Sequence, residues 1–279
     1  MISYTELKFA LTSLGLTNNP VIVHASLRAF GPIDGGAGTL IKILLASTRG
    51  VMMPSFTYTT MLIPEVGPPN NAINYGSQRD QNRLAEPFQS EMPVDKMMGV
   101  LPDILRKHPA AVRTFHPILS FCGVEMDATL ASQTIFNPLA PIALLAEQDG
   151  WVLLLGVDHT VNTAIHYAEK LAGRKQFIRW ALTPERVVEC PNFPGDSSGF
   201  QDIARELEGI SRFAQVQSVR IQGVPLKPLL ELVVQRLRSD PTALLCTRED
   251  CERCNEVRSA MTRDYFLRTH RPIPSQFKG

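Results

Sequence analysis

The sequence predicts an α/β fold built on a mixed, partly parallel sheet that is flanked by helices. Residues 20–24 form an apolar strand that runs into a glycine-bearing loop, a helix at 39–46 and a second strand at 50–54. Residues 151–155 form another short, continuous apolar run, and a helix is predicted at 163–171. Because strand, loop, helix and strand follow one another, at least part of the sheet is expected to be parallel.

The other elements follow in order along the chain, and no linker or repeat separates them. Residues 62–91 are rich in proline, asparagine, glutamine and glycine and show no period. A loop of this length is usually functional, so we expect a flap over a site at about 62–95, within one domain that covers residues 1–279. The remaining predicted elements are helices at 4–14, 100–107, 139–147, 203–213 and 227–238, and strands at 118–124, 174–189 (two strands and a turn) and 216–221.

Composition and charge exclude several classes of protein. With 44% hydrophobic and 20% charged residues, the chain is expected to form a globular core, not a disordered or fibrous one. A formal net charge of +1 provides no field to recruit nucleic acid or a membrane, and no apolar run reaches the roughly 20 residues that span a bilayer. The odd number of cysteines, five, and the lack of a signal-peptide pattern indicate reduced thiols in the cytoplasm.

The loop at 26–36 follows the first predicted strand and carries Gly31, Gly35 and Gly36. Glycine loops that precede helices can cradle phosphates through backbone N–H groups. This loop matches neither G-x-G-x-x-G nor G-x-x-x-x-G-K-[ST]. A phosphate or pantetheine site and a plain turn therefore both remain open from the pattern alone.

The segment after the strand at 151–155 is dense in polar and titratable residues. His159 and Asn162 precede the predicted helix, and His166 and Glu169 are three residues apart, so they share one helix face. Ligands of open α/β sheets bind at the carboxyl ends of strands, where this segment begins. An imidazole suits a general base, so we expect His166 to act as one; the alternative is a packed histidine beside a solvated glutamate.

A zinc site is the first alternative that the cysteines suggest. Cys246, Cys251 and Cys254 lie close in sequence, and His270 is a distant fourth candidate ligand. Only one C-x-x-C is present, so no metal is expected.

The other candidate nucleophiles and bases are weaker. Cys122 and Cys190 have no neighbouring base in sequence, and no G-x-S-x-G elbow is present. His116 precedes a predicted strand, where a histidine is more often structural than catalytic, so we expect a packing role.

An ordered set of motifs resembles the aminoglycoside 3-N-acetyltransferase family, the histidine-containing antibiotic N-acetyltransferases. The resemblance runs from about residue 21 to residue 254, and each motif is weak alone, whereas their order and spacing are specific. The motifs are VHASL at 23–27 with the glycines at 31, 35 and 36, MPSFTY at 53–58, EMP at 91–93, MGVLP at 98–102, Arg113 with HP at 116–117 and SF at 120–121, LLLG at 153–156, NTAIHYAE at 162–169 and DCERC at 250–254.

The resemblance implies acetyl-CoA as co-substrate, a small-molecule amine as acceptor, often the 3-amino group of a 2-deoxystreptamine ring, and no metal. It implies that His166 is the catalytic histidine and that a downstream carboxylate, Asp196, orients it; Glu169 is the other candidate. The residues expected to bind the co-substrate are Ser26, Leu27, Arg28, Gly31, Gly35, Gly36 and Ser120, and the backbone of 26–28 is expected to hold the oxyanion.

The acceptor is the least defined part of the expectation, because the chain departs from the family pattern after Met92-Pro93. A polycationic acceptor requires local carboxylates, and the candidates in and beside the flap are Glu86, Glu91 and Asp95; the alternative is a solvated surface. An acyltransferase of the same fold that acts on a non-antibiotic amine, and a non-catalytic CoA-binding protein, are the rival functions. The sequence leaves the oligomeric state open.

Overall fold

A computed structural model of the chain describes residues 1–77 and 79–269. The strands are β1 Pro20–Ala25, β2 Gly50–Pro54, β3 Met61–Leu62, β4 Val112–Arg113, β5 Phe121–Val124, β6 Trp151–Leu155, β7 Phe177–Leu182, β8 Val187–Phe193, β9 Arg212–Val216 and β10 Val219–Pro225. The α-helices are α1 Tyr4–Ser13, α2 Leu27–Phe30, α3 Gly36–Ser47, α4 Arg79–Asn82, α5 Val100–Arg106, α6 Asp127–Ala131, α7 Ala140–Glu147, α8 Thr163–Leu171, α9 Ala204–Leu207, α10 Leu226–Ser239 and α11 Glu252–Thr269.

The main sheet has seven strands in the order β4-β5-β2-β1-β6-β10-β9. The three central strands, β2, β1 and β6, are parallel, and the outer strands pair antiparallel. A second, antiparallel sheet has the order β3-β7-β8. The predicted fold class, a mixed and partly parallel sheet flanked by helices, is therefore confirmed.

The central strands are apolar throughout because both faces of the sheet are covered. Successive side chains of a strand point to opposite faces, so Ile22 of β1 packs in one core and Val21 and Val23 pack in the other. Helices α7, α8 and α10 contribute to the first core, whereas α1, α3 and α5 contribute to the second. None of the described helices is long and apolar enough to cross a membrane.

Two predicted elements near the carboxyl end are wrong. The helix expected at 203–213 contains only the four-residue α9 with 3-10 turns on either side, and Arg212 already begins β9. The strand expected at 216–221 is a hairpin, in which Val216 pairs with Val219 and Gln217 has a φ of +50°. Apolar residues lie on both sides of the tight turn at 217–218, so the segment resembles one continuous strand in sequence.

The segment at 62–95 is mainly irregular and packs beside the second sheet. The Asn71 side chain exchanges two hydrogen bonds with the backbone of Ile178 on β7, at 2.8 and 3.0 Å. The backbone N–H of Phe88 donates to the carbonyl of Leu182 at the end of the same strand. These contacts fix where the segment lies, while its movement as a flap stays a prediction.

Candidate active site

A cavity of about 860 Å³ lies beyond the carboxyl ends of the three parallel strands. In a parallel arrangement these ends meet at one edge, where ligands of open α/β sheets bind. The residues that follow β1, β2 and β6 therefore converge on the same space. The lining includes residues 23–28, 96–102, 160–163 and 194–198, together with Phe56, Tyr58, His166 and Arg253.

His166 is carried into this cavity by α8, the helix that follows β6. The Asn162 side chain caps α8 by accepting a hydrogen bond from the backbone N–H of Ala164 at 3.1 Å. The His166 ring packs edge-on against Phe200, with ring centroids 4.7 Å apart. The imidazole is thus fixed on one side while it lines the cavity on the other.

Glu169 determines which nitrogen of His166 is available. Nδ1 of His166 lies 2.7 Å from Oε2 of Glu169, and the carboxylate is almost fully buried. Because a carboxylate only accepts, Nδ1 carries the proton and Nε2 keeps a free lone pair. The other oxygen, Oε1, accepts from the buried Arg174 at 2.7 Å, and Arg174 also donates to the carbonyls of Pro241 and Ala243. This buried pairing holds the carboxylate in place.

Asp196, the carboxylate expected to orient His166, has other partners in the structure. Asp196 lies at the cavity wall, but its partners are the backbone N–H of Ser198 and the guanidiniums of Arg248 and Arg253, at 2.9, 3.4 and 3.6 Å. Burial opposes its ionisation, yet these hydrogen bonds and charges lower the pKa of Asp196 below its usual range. Glu169, the alternative, is the residue that contacts His166.

The residues after β1 divide into two groups. Ser26, Leu27 and Arg28 line the cavity, as expected of co-substrate ligands. Gly31, Gly35 and Gly36 do not line it; all three have positive φ values, of 65°, 71° and 69°, and they shape the turn that leads into α3. Their role in the structure is conformational, because left-handed backbone favours glycine.

Ser120 does not reach the cavity either. It is fully buried, donates to the carbonyl of Ser55 at 2.7 Å and lies 3.2 Å from Nε of Arg113. Arg113 in turn donates to the carbonyls of Ser55, Ser90 and Met92. Ser120 therefore belongs to an internal hydrogen-bond network and not to the cavity surface.

The three carboxylates expected to receive the acceptor lie outside the cavity lining. Glu86 and Glu91 are exposed, and the carboxylate of Glu91 accepts from the hydroxyl of Ser90 at 2.8 Å. Asp95 accepts from the backbone N–H of Met97 at 2.9 Å and so caps the turn Lys96–Met98, which does line the cavity. Asp95 therefore stabilises a turn of the cavity wall without lining the cavity itself.

His116 has the packing role that the sequence favoured. Its Nδ1 accepts from the backbone N–H groups of Ile118 and Leu119 at 3.2 and 3.0 Å, and it does not line the cavity. Burial lowers the pKa of His116 to about 4, so the ring is neutral at physiological pH.

Two histidines to which the sequence analysis assigned no catalytic role lie close to the site. His24 is the last but one residue of β1 and lines the cavity, and His159 begins the 3-10 turn that follows β6. Burial, and secondarily the neighbouring His159, lowers the pKa of His24 to about 3, while burial lowers the pKa of His159 to about 4. A histidine near the end of a buried central strand is the signal that could have identified His24.

No metal was expected because only one C-x-x-C is present, yet the fold brings a further candidate ligand to the three cysteines. The thiols of Cys246, Cys251 and Cys254 and a carboxylate oxygen of Asp196 lie within 4.8 Å of one another. His270, the fourth candidate from the sequence, lies outside the described residues.

Residues 22–238 match the family model of aminoglycoside 3-N-acetyltransferases. The chain belongs to this family. A relative from Streptomyces paromomycinus, aminoglycoside N(3)-acetyltransferase VII, is 32% identical over 192 residues, which are 63% of this chain and 64% of the relative. The chain thus spans less than two thirds of that relative's length. Aminoglycoside N(3)-acetyltransferase III from a Salmonella species is 27% identical over 240 residues, covering 74% of this chain and 82% of the relative.

Solved structures of the family share the fold. The apoenzyme of aminoglycoside acetyltransferase AAC(3)-IVa superposes with a TM-score of 0.74 at 24% identity, over 92% of this chain and 97% of that one. A variant of the same enzyme was solved in complex with a gentamicin. AAC-IIIb, solved with CoASH, has a TM-score of 0.69 at 22% identity, over 85% of this chain and 96% of its own.

Proposed function

We propose that this protein is an acetyl-CoA-dependent N-acetyltransferase and that its favoured acceptor is the 3-amino group of an aminoglycoside. The observation that carries the proposal is the His166–Glu169 pair, 2.7 Å apart, at the wall of a cavity beyond the parallel strands. Membership of the family supports the reaction, and the relatives solved with CoASH and with a gentamicin support the two substrates.

His166 is the general base in this proposal. An ammonium group must lose a proton to the solvent before it can attack a thioester carbonyl, and the remaining amine loses a second proton as the C–N bond forms. Nε2 of His166 takes that second proton, a role worth typically 10²–10⁴-fold in rate. Glu169, held by Arg174, then stabilises the imidazolium that results.

The tetrahedral intermediate then collapses and expels the CoA thiolate. The carbonyl oxygen carries a negative charge until the C–S bond breaks, and backbone amides of Leu27 and Arg28 are the donors we assign to it. Both lie in the first turn of α2, where helical amides have no intrahelical acceptor. The CoA thiolate leaves as the C–S bond breaks and takes the proton that His166 removed from the amine. The products are the acetamide and free CoA.

The donor substrate is assigned to the side of the cavity that carries positive charge. Arg28 and Lys96 both line the cavity, so their charges suit the phosphates of CoA. The lining also includes apolar residues, among them Met97, Met98 and Val100, which suit a pantetheine chain.

The acceptor is assigned to the side that faces the segment at 62–95. We propose that the chain acts as one acetyltransferase domain and that this segment is a flap whose movement brings the exposed Glu86 and Glu91 toward a polycation. Asp95 couples the segment to the cavity wall, because it caps the turn Lys96–Met98. The cytoplasm is the proposed compartment, since all five cysteines have free thiols.

The test is a turnover assay with acetyl-CoA and a panel of aminoglycosides and simple amines. Release of the CoA thiol measures the rate, and mass spectrometry identifies the product. We expect transfer of one acetyl group to the 3-amino position of at least one aminoglycoside. Turnover with a simple amine alone would establish the alternative, an acyltransferase that acts on a non-antibiotic amine. Binding of acetyl-CoA without turnover on any amine would contradict an enzymatic role.

A further inference from the structure

The carboxyl-terminal part of the chain brings three thiols to one buried carboxylate. Cys246 precedes a turn, Cys251 lies directly before α11, and Cys254 lies in the first turn of that helix. Asp196 comes from the loop after β8, about 50 residues earlier, and all four side chains are buried. Their sulfur and oxygen atoms all lie within 4.8 Å of one another. This convergence is long-range, so it is a product of the fold and not of sequence proximity.

The donor set has the composition and size of a tetrahedral zinc site. Zinc binds thiolates at about 2.3 Å and carboxylate oxygen at about 2.0–2.2 Å, almost always with four ligands in structural sites. Tetrahedral geometry then requires sulfur atoms to lie about 3.8 Å apart, so the cluster needs to contract by at most about 1 Å. The spacing C-x-x-x-x-C-x-x-C includes the C-x-x-C pair that is typical of zinc sites.

The surroundings of the cluster compensate its charge. Arg248 and Arg253 each place a guanidinium nitrogen near the carboxylate of Asp196, at 3.4 and 3.6 Å. Three thiolates and one carboxylate carry four negative charges. A divalent ion reduces the net charge of the site to −2, and the two guanidiniums offset that remainder. A buried site of this kind requires such compensation, because unpaired charge is costly away from water.

The other two cysteines of the chain provide a contrast. Cys122 and Cys190 are buried as well, but each lies on a strand, and neither belongs to the cluster of candidate ligands. The thiol of Cys122 lies 3.5 Å from the carbonyl oxygen of Pro102. These two behave as small apolar residues, whereas the thiols of the other three cluster within 4.8 Å of one another.

We propose that Cys246, Cys251, Cys254 and Asp196 bind one zinc ion in a closed, structural site. The ion fastens the loop that carries Asp196 to the start of α11. Residues 194–198 and Arg253 line the main cavity, so the site fixes one of its walls. Asp196 then acts as a metal ligand and not as the partner of His166, which explains why its carboxylate faces the cysteines.

The first test is the metal content of the full chain, purified without chelator and with any affinity tag removed. We expect about one zinc per chain by elemental analysis. Protein from cobalt-supplemented minimal medium is expected to show thiolate-to-cobalt charge-transfer bands and the intense visible bands of tetrahedral cobalt. Metal far below one equivalent, with three reactive thiols or with a disulfide among them, would overturn the proposal.

The second test separates this site from any other. Cys251→Ser is expected to lose the metal. Asp196→Asn is expected to bind zinc at least about 10-fold more weakly, as measured by competition with a zinc-binding dye. Cys190→Ser is the matched control and should keep one equivalent. If Cys251→Ser does not fold, Asp196→Asn and the cobalt spectrum still decide. Full metal content in both ligand variants, or equal loss in Cys190→Ser, would place the metal elsewhere and contradict the proposal.

Discussion

The segments that follow β1 and β6 begin alike and then diverge. The two strands are parallel neighbours, with Ala25 paired to Leu155, and each is followed by a polar stretch at the same edge of the sheet. After β6 the chain forms α8 and brings His166 into the cavity. After β1 only residues up to Arg28 stay at the cavity, and the glycines beyond it shape a turn into α3. Position relative to the strand end therefore indicates a functional residue better than residue type does.

Among the residues that support the base, the largest effect is expected on the β6 side, at Glu169. Glu169→Gln replaces a carboxylate that accepts from both His166 and Arg174 with an amide, which can hold the imidazole in the wrong tautomer. We expect kcat to fall by about 10²-fold or more while the KM for acetyl-CoA changes little. Steady-state kinetics on folded protein provides the check.

A matched surface variant shows whether the loss belongs to the site. Glu206→Gln removes a carboxylate that pairs with Arg236, at 3.8 Å on the surface. Its kcat should stay within about 2-fold of the wild type, since exposed pairs contribute little. Equal losses in the two variants would contradict the role assigned to Glu169.

The second prediction concerns the buried histidines at and beside the site. The pKa values of His24, His116 and His159 are lowered to about 3, 4 and 4, whereas an unfolded chain has about 6.5. Below pH 6.5 the unfolded state therefore binds more protons, so the free energy of unfolding falls as the pH falls toward 4. Urea unfolding at about pH 7.5 and about pH 5 measures this, and His116→Gln should weaken the dependence. Stability that is constant across this range would contradict burial in the neutral form.

The third and smallest effect tests the β1 side. Gly35 has a φ of +71°, and an added Cβ would lie 2.3 Å from Oγ1 of Thr39. Gly35→Ala is expected to destabilise the fold by roughly 1–2 kcal/mol and to lower Tm by a few degrees, without changing the affinity for acetyl-CoA. Thermal melts and calorimetry give the two readouts.

Gly38 offers the control within the same helix. It lacks a positive φ, and nothing lies within 4 Å of an added Cβ, so Gly38→Ala should stabilise α3 by up to about 1 kcal/mol. If Gly35→Ala keeps wild-type stability but weakens acetyl-CoA binding, the glycines belong to the co-substrate site after all.

The β6 side of the site was predictable because its information is local. An apolar run, a glycine and a helix start place His166 at a strand end, and the three-residue spacing places Glu169 beside it. The family resemblance rested on motifs from the same strand ends, and the family match confirms it. The α/β fold followed from the strand and helix succession in the same way.

The partners of Asp196 were not predictable from its neighbours in sequence. Arg248 and Arg253 come from a segment about 50 residues later, and only the folded chain brings them to the carboxylate. The co-substrate role expected of the glycines at 31, 35 and 36 stays a prediction, and none of the three lines the cavity. A glycine that lets a ligand approach and a glycine that permits a left-handed turn look identical in sequence.

The most direct measurement compares two histidines, one that lines the cavity and one that is buried outside the lining. His166→Ala and His116→Ala are assayed for CoA release with a responsive aminoglycoside, with acetyl-CoA binding measured by calorimetry. We expect His166→Ala to bind acetyl-CoA almost normally while kcat falls by about 10²–10⁴-fold. His116→Ala should lose stability but keep kcat within a few fold in the folded fraction. Near-normal turnover in His166→Ala, with turnover abolished in His116→Ala, would contradict the assignment of the base.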